Sequence, residues 1–121
     1  MATMTVRVAR YSGDDFSCDV AIPRREPLSV VFEDDDVLAF HHTRPFWPVH
    51  LVVVPKIHVE SLLTLGDVHI ATRLLDVVQS AAADVVAEHG QASVLTNLGD
   101  YQDSKHLHVH VRAGEPVRSA S

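Results

Sequence analysis

His106, His108 and His110 stand at every second position of the run Ser104-Lys105-His106-Leu107-His108-Val109-His110-Val111-Arg112. An extended strand has that period, so the spacing predicts three imidazoles on one face and aliphatic core side chains, Leu107 and Val109, on the other. His50 opens a second apolar run that could lie beside this strand. Four of the nine histidines of the chain could therefore converge.

Three kinds of chemistry suit such a row. His-x-His on one strand face can present two nitrogens to zinc. Three in-line residues, however, spread over about 14 Å at strand rise, too far for all three to bind one ion, although two of them with a distant third ligand could. A structural layer of satisfied histidines is the second possibility. It is disfavoured because burying several titratable rings costs free energy that Thr or Val would avoid. The third is nucleophilic catalysis. A neutral imidazole can form a covalent phosphoryl or nucleotidyl intermediate, and neighbouring rings can donate to the non-bridging oxygens of the phosphate. His108 is the ring flanked on both sides, which makes it the expected nucleophile with His106 and His110 around it. Such a nucleophile must be unprotonated, so activity should fall on the acid side around pH 6 to 7.

The elements that position this row can be read in chain order. Residues 1 to 15 form an irregular segment in which Val6 and Val8 could make a short strand; 16 to 116 carry the domain; 117 to 121 are a tail. Residues 29–33 and 37–41 read as two strands of a hairpin across Asp34-Asp35-Asp36. The acidic run Glu33 to Asp36 could hold a divalent cation, but four adjacent carboxylates at a solvated turn more often serve the turn alone. Residues 41–48 are a loop interrupted by Pro45 and Pro48, whose Phe46 and Trp47 either pack on the body or wall a planar ligand. His50-Leu51-Val52-Val53-Val54 is a nearly continuous apolar strand and so a central one. A helical turn within 57–65 precedes an expected cap at Thr64, with Asp67 completing a capping box. Apolar residues at three- and four-residue steps (Val68, Ala71, Leu74, Leu75, Val78, Ala81, Ala82, Val85, Val86) predict an amphipathic helix over 68–88, stopped at Gly90. Residues 92–97 supply a further strand before the histidine strand. The expected architecture is α+β: about five antiparallel strands with one long helix on one side and short helical segments.

Composition narrows the function class. A formal net charge of −6 and the lack of a Lys/Arg cluster argue against a nucleic acid or an anionic membrane as partner. Cys18 is the only cysteine, and neither a signal-like apolar run nor a transmembrane stretch is present, so a cytoplasmic location is expected.

His106-Leu107-His108-Val109-His110-Val111 resembles the His-φ-His-φ-His-φ-φ signature, φ being apolar, of the histidine triad (HIT) family. Residues 31–40 and 50–58 are similar to two further segments of that family, in the right order. The resemblance implies a HIT-like fold, a homodimer whose two sheets join, and hydrolysis or transfer at the α-phosphate of a nucleoside phosphate derivative. The nearest branch is the nucleoside phosphoramidases, which need no metal or other cofactor. By the same resemblance His108 becomes nucleotidylated, water releases a nucleoside monophosphate, and His50, His106 and His110 orient the nucleophile or contact phosphate. Asn97, Gln102 and Ser104 match phosphate- and leaving-group-binding positions, and Phe40 and Val52 match part of the apolar base pocket for a purine nucleotide. His42 stands where purine-binding members commonly carry an Asp that accepts both ribose hydroxyls. Asp103 replaces a common Ser or Thr in a shortened 99–105 loop, Arg112 replaces an apolar residue, and Asp15 replaces the first cysteine of a zinc-binding Cys-x-x-Cys. A dinucleoside polyphosphate hydrolase, a nucleotidyl transferase, a non-catalytic nucleotide-binding protein and a metal-binding protein are the competing expectations.

Overall fold

A computed structural model describes Ile22, residues 27–102 and residues 104–116. The expected Val6/Val8 strand, the irregular 1–15 segment, the Asp15/Cys18 pair, Asp103 and the 117–121 tail lie outside those residues. Five strands, β1 (Val30–Glu33), β2 (Val37–His41), β3 (Val49–Pro55), β4 (Ser93–Leu95) and β5 (Val109–Ala113), form one antiparallel sheet in the order β1-β2-β3-β5-β4. β3 is central, as its unbroken apolar run requires. Helix α1 (Val68–His89) crosses one face.

Pleating sorts the side chains. Val37, Ala39, Leu51, Val53, Val111 and Ala113 point to α1 and meet Leu74, Val77, Val78, Ala81 and Val85 in the main core. Leu38, Phe40, Val52 and Val54 form a second buried cluster on the opposite face, with Ile22 and Leu28 packed against it. His50, His110 and Arg112 alternate with core residues on β3 and β5, and so share that second face.

The hairpin of β1 and β2 turns as its Asp run predicts. Asp34 Oδ1 accepts the N–H groups of Asp36 and Val37, each at 2.8 Å, while its Oδ2 pairs with Arg73 of α1. Arg73 holds the Asp34 carboxyl below its ordinary value. Lys56 pairs with Glu33 and His69 meets Asp36, so these carboxylates serve the turn and its neighbours.

Two expectations near α1 are corrected. The helix cap is Asp67, whose Oδ1 accepts the Ile70 N–H at 3.0 Å; Thr64 instead closes a capping box with Ser61 around a 3-10 turn at Leu62–Thr64. The buried stripe keeps Leu74, Val78, Ala81 and Val85 as expected but is shifted at its margins, because Ile70 and Val77 face the sheet while Val68, Leu75 and Val86 are exposed. Both choices satisfy a 3.6-residue period, and only the sheet decides between them. Gly90 ends the helix with φ of 82°, a left-handed cap as expected. No helix among the described residues is long and apolar enough to cross a membrane.

Gly114, just past β5, has φ of 90°, and a Cβ there would lie 2.9 Å from Pro48 Cγ. Gly114→Ala should therefore cost about 1–3 kcal/mol of stability from left-handed strain and overlap together. Denaturant unfolding measures it; a midpoint equal to that of the parent would mean the Pro48 loop yields freely.

Candidate active site

The sheet register assembles the site. Phe40 on β2 pairs with Val52 on β3, Val52 with His110 on β5, and His110 with Leu95 on β4. One step along, His50 pairs with Arg112 and Arg112 with Ser93. His42 follows β2, and its backbone N–H donates to the His50 carbonyl at 2.8 Å. The apolar pair Phe40/Val52, the ring pair His50/His110 and Arg112 thus lie on adjoining rows of one face.

Four imidazoles form a chain of contacts. His42 stacks on His50 with centroids 4.3 Å apart, His50 lies 5.1 Å from His110, and His110 meets His108 edge-on at 5.0 Å. Hydrogen bonds set their tautomers. The Phe46 N–H donates to His50 Nδ1 at 3.2 Å, which places the His50 proton on Nε2. From there it is donated to His110 Nδ1 at 2.9 Å, leaving the His110 proton on Nε2. His108 Nδ1–H donates to the backbone carbonyl of His106 at 2.7 Å, so the His108 lone pair resides on Nε2. The Arg44 N–H donates to His42 Nδ1 at 2.9 Å, so His42 carries Nε2–H.

Burial pushes His42 down to about 2, with the neighbouring His50 and His110 rings adding to the effect. Burial likewise lowers His50 to about 4 and His110 to about 3, helped by His108 and by the charge on Arg112. These three rings are neutral at physiological pH.

The picture of three equivalent rings on one face is corrected at His106. Its ring is wholly buried, its Nε2–H donates to the Pro55 carbonyl at 2.7 Å, and it packs edge-on against His58. His106 thus meets His108 through its backbone carbonyl, while its ring is turned to Pro55 and His58. Leu107 and Val109 stay with the α1-side core as expected, but regular pairing in β5 begins only at Val109, and before it the Leu107 N–H donates to Val59 C=O. Thr96 Oγ1 donates to the His108 carbonyl at 2.7 Å and fixes the backbone of that residue from the neighbouring segment.

The other expected residues are less uniformly placed. Phe40 and Val52 are buried within the second cluster beside the rings. Asn97 is half-buried one residue after Thr96. Gln102 and Ser104 are buried, and the Gln102 side-chain amide donates to the Glu60 carbonyl, which ties the 99–102 turn to the segment after β3. Phe46 and Trp47 pack around His50, Trp47 at 5.1 Å edge-to-face. Arg112 sits on an interior strand with its guanidinium 4.0 Å from the Trp47 ring centroid. No cluster of three or more metal-ligating side chains occurs among the described residues.

Known proteins align with this arrangement. The HIT domain family model matches residues 24–117. Protein HitA of Neisseria gonorrhoeae is 30% identical over 103 residues, covering 83% of this chain and 94% of that protein. A histidine triad protein from Clostridium difficile superposes with a TM-score of 0.71 at 32% identity, covering 92% of this chain and 99% of that one. A HIT family hydrolase from Legionella pneumophila superposes with a TM-score of 0.72 at 25% identity, covering 88% and 97% respectively. With the fold, the row of histidines and the family match in agreement over the same residues, the chain belongs to the HIT domain family.

Proposed function

We propose that the chain is a nucleotide hydrolase acting at the α-phosphate of a nucleoside phosphoramidate or related phosphoanhydride, with His108 as nucleophile. The observation that carries the reading is the 2.7 Å bond from His108 Nδ1–H to the His106 carbonyl, beside the directed His50–His110 pair. That bond leaves the attacking lone pair on Nε2, and the same carbonyl stabilises the positive charge the ring acquires as it bonds to phosphorus.

In the first step His108 Nε2 attacks the α-phosphorus, the bond to the leaving nitrogen or oxygen breaks, and the leaving group takes up a proton. His110 Nε2–H donates to a non-bridging oxygen, and because the ring is neutral it offers a dipole rather than a second cation. In the second step water attacks the nucleotidyl-His108, gives up a proton and releases the nucleoside monophosphate, so one water is consumed overall. Asn97, Gln102 and Ser104 contact the phosphate and leaving group, and Phe40 and Val52 lie against a purine base. His42, with Nδ1 already accepting from Arg44, presents Nε2–H to the sugar.

The relative named as a HIT family hydrolase supports the reaction class. The remaining parts of the reading are a cytoplasmic location and a homodimer. For the dimer, β4 is an edge strand of the described sheet with Val94 half-exposed, and a second copy pairing there would extend the sheet.

The test is incubation with adenosine phosphoramidate, followed by intact mass and product analysis. An adenylylated chain that turns over to AMP and amine is expected. Calorimetric binding with neither adduct nor AMP after hours would replace the hydrolase reading with that of a nucleotide-binding protein.

A further inference from the structure

Arg112 extends the site by one step beyond His110. It lies on the same face of β5, opposite His50 on β3 and Ser93 on β4. Its guanidinium covers the Trp47 ring at 4.0 Å, and Trp47 in turn packs edge-to-face on His50 at 5.1 Å. Arg112 Nε is buried with no hydrogen-bond partner, and none of the described ion pairs includes this guanidinium. A buried N–H without an acceptor costs free energy, and a cation held on an indole face keeps a field that a carboxylate would cancel.

The ring pair facing that field has room for only one arrangement of protons. A second proton on His50, at Nδ1, would set two hydrogens between that ring and the Phe46 N–H. A second proton on His110, also at Nδ1, would set two hydrogens between the rings themselves. Building on the hydrolase reading, we propose that Arg112, clamped on Trp47, is a positioning residue for the His50–His110 pair. The cation and the indole hold both rings in this one hydrogen-bonded arrangement, so that His110 always meets the phosphate with Nε2–H.

The groups around the pair come from each neighbouring element. The loop after β2 brings His42, Trp47 and the exposed Arg44; β5 and the residues leading into it bring His108 and Arg112; β4 brings uncharged Ser93 and Leu95. No carboxylate among the described residues is hydrogen-bonded to His50, His110 or Arg112. Burial is the larger cause of the low His50 and His110 values, and the Arg112 charge adds to it in both rings.

The experiment is a ring-nitrogen NMR titration of the ligand-free chain, run in parallel with the pH profile of kcat for adenosine phosphoramidate. In the parent, His50 and His110 should keep single neutral tautomers down to about pH 5. In Arg112→Leu and Arg112→Gln both midpoints should rise by about one pH unit or more, while the acid limb of kcat set by the nucleophile near pH 6 to 7 stays in place. Arg112→Lys should restore the midpoints, since it keeps the charge. Trp47→Leu, which releases the guanidinium with its charge intact, should give mixed tautomers. Unchanged midpoints and tautomers in a folded Leu or Gln variant would overturn the proposal. The titration needs no substrate, so shifted midpoints in a chain that turns nothing over would remove the hydrolase reading and leave the positioning role standing.

Discussion

His108→Asn is expected to lower kcat for phosphoramidate hydrolysis by about 10⁴-fold or more while leaving the fold intact. Removing the nucleophile of a covalent mechanism typically costs rate factors of that size, because its partners cannot act without it. Asparagine is the informative replacement. Its amide N–H can take over the donor role of His108 Nδ1 toward the His106 carbonyl, and the Thr96 bond to the backbone of residue 108 is untouched. What it lacks is a second nitrogen with a lone pair toward the phosphorus. Binding of a nucleoside monophosphate should therefore persist within a few-fold, and the adduct seen by intact mass should vanish. A variant keeping more than about one tenth of parental kcat would mean that another group attacks, or that the reaction bypasses a covalent intermediate.

β2, β3, α1 and the Gly90 cap were legible in the sequence because each rests on a periodicity or a punctuation signal that acts locally. The enclosure of the His106 ring was not legible. Leu107 and Val109 keep the alternation the sequence predicts, but the Leu107 bond to Val59 takes 104–108 out of the regular ladder, and no local pattern shows that Pro55 and His58 close over the first ring. The stack of His42 on His50 depends on how the 42–48 loop folds back between β2 and β3, and Pro45 and Pro48 mark that loop without fixing its path. Arg112 and Trp47 were each visible as oddities, a charge in an apolar motif position and an aromatic in a loop. Their contact across 65 positions of chain follows from the β3–β5 register, which no local pattern encodes.

Four rings in contact also make the protein acid-sensitive before any substrate is considered. In the folded chain burial holds His42, His50 and His110 at about 2, 4 and 3, against an ordinary value of 6.5. Between those values and 6.5 the unfolded chain binds more protons than the native one, so falling pH favours unfolding. The contribution of these rings to stability is complete above about pH 6.5 and drains away as pH falls toward the folded values. Each ring can contribute a slope of up to about 1.4 kcal/mol per pH unit. At half that limit, to allow for water entry and relaxation around rings that are not all fully enclosed, three rings together give roughly 2 kcal/mol per unit. Between pH 6.5 and 5 that amounts to about 3 kcal/mol, a large share of the ~5–15 kcal/mol that stabilises a small domain. The melting temperature should accordingly fall by about 10 °C or more over that interval. Asp34 adds nothing there, because its lowered value makes its own contribution disappear only below the ordinary carboxylate value of 3.8. His42→Gln separates this cause from general acid lability: it removes the ring with the largest displacement, so the slope of stability against pH should fall by about one third even if the variant is less stable at pH 7. Melting temperatures that stay level from pH 7 to 5 would show that the rings accept protons in the folded state, and the directed hydrogen-bond chain from Phe46 through His50 to His110 would then not be the arrangement present in solution.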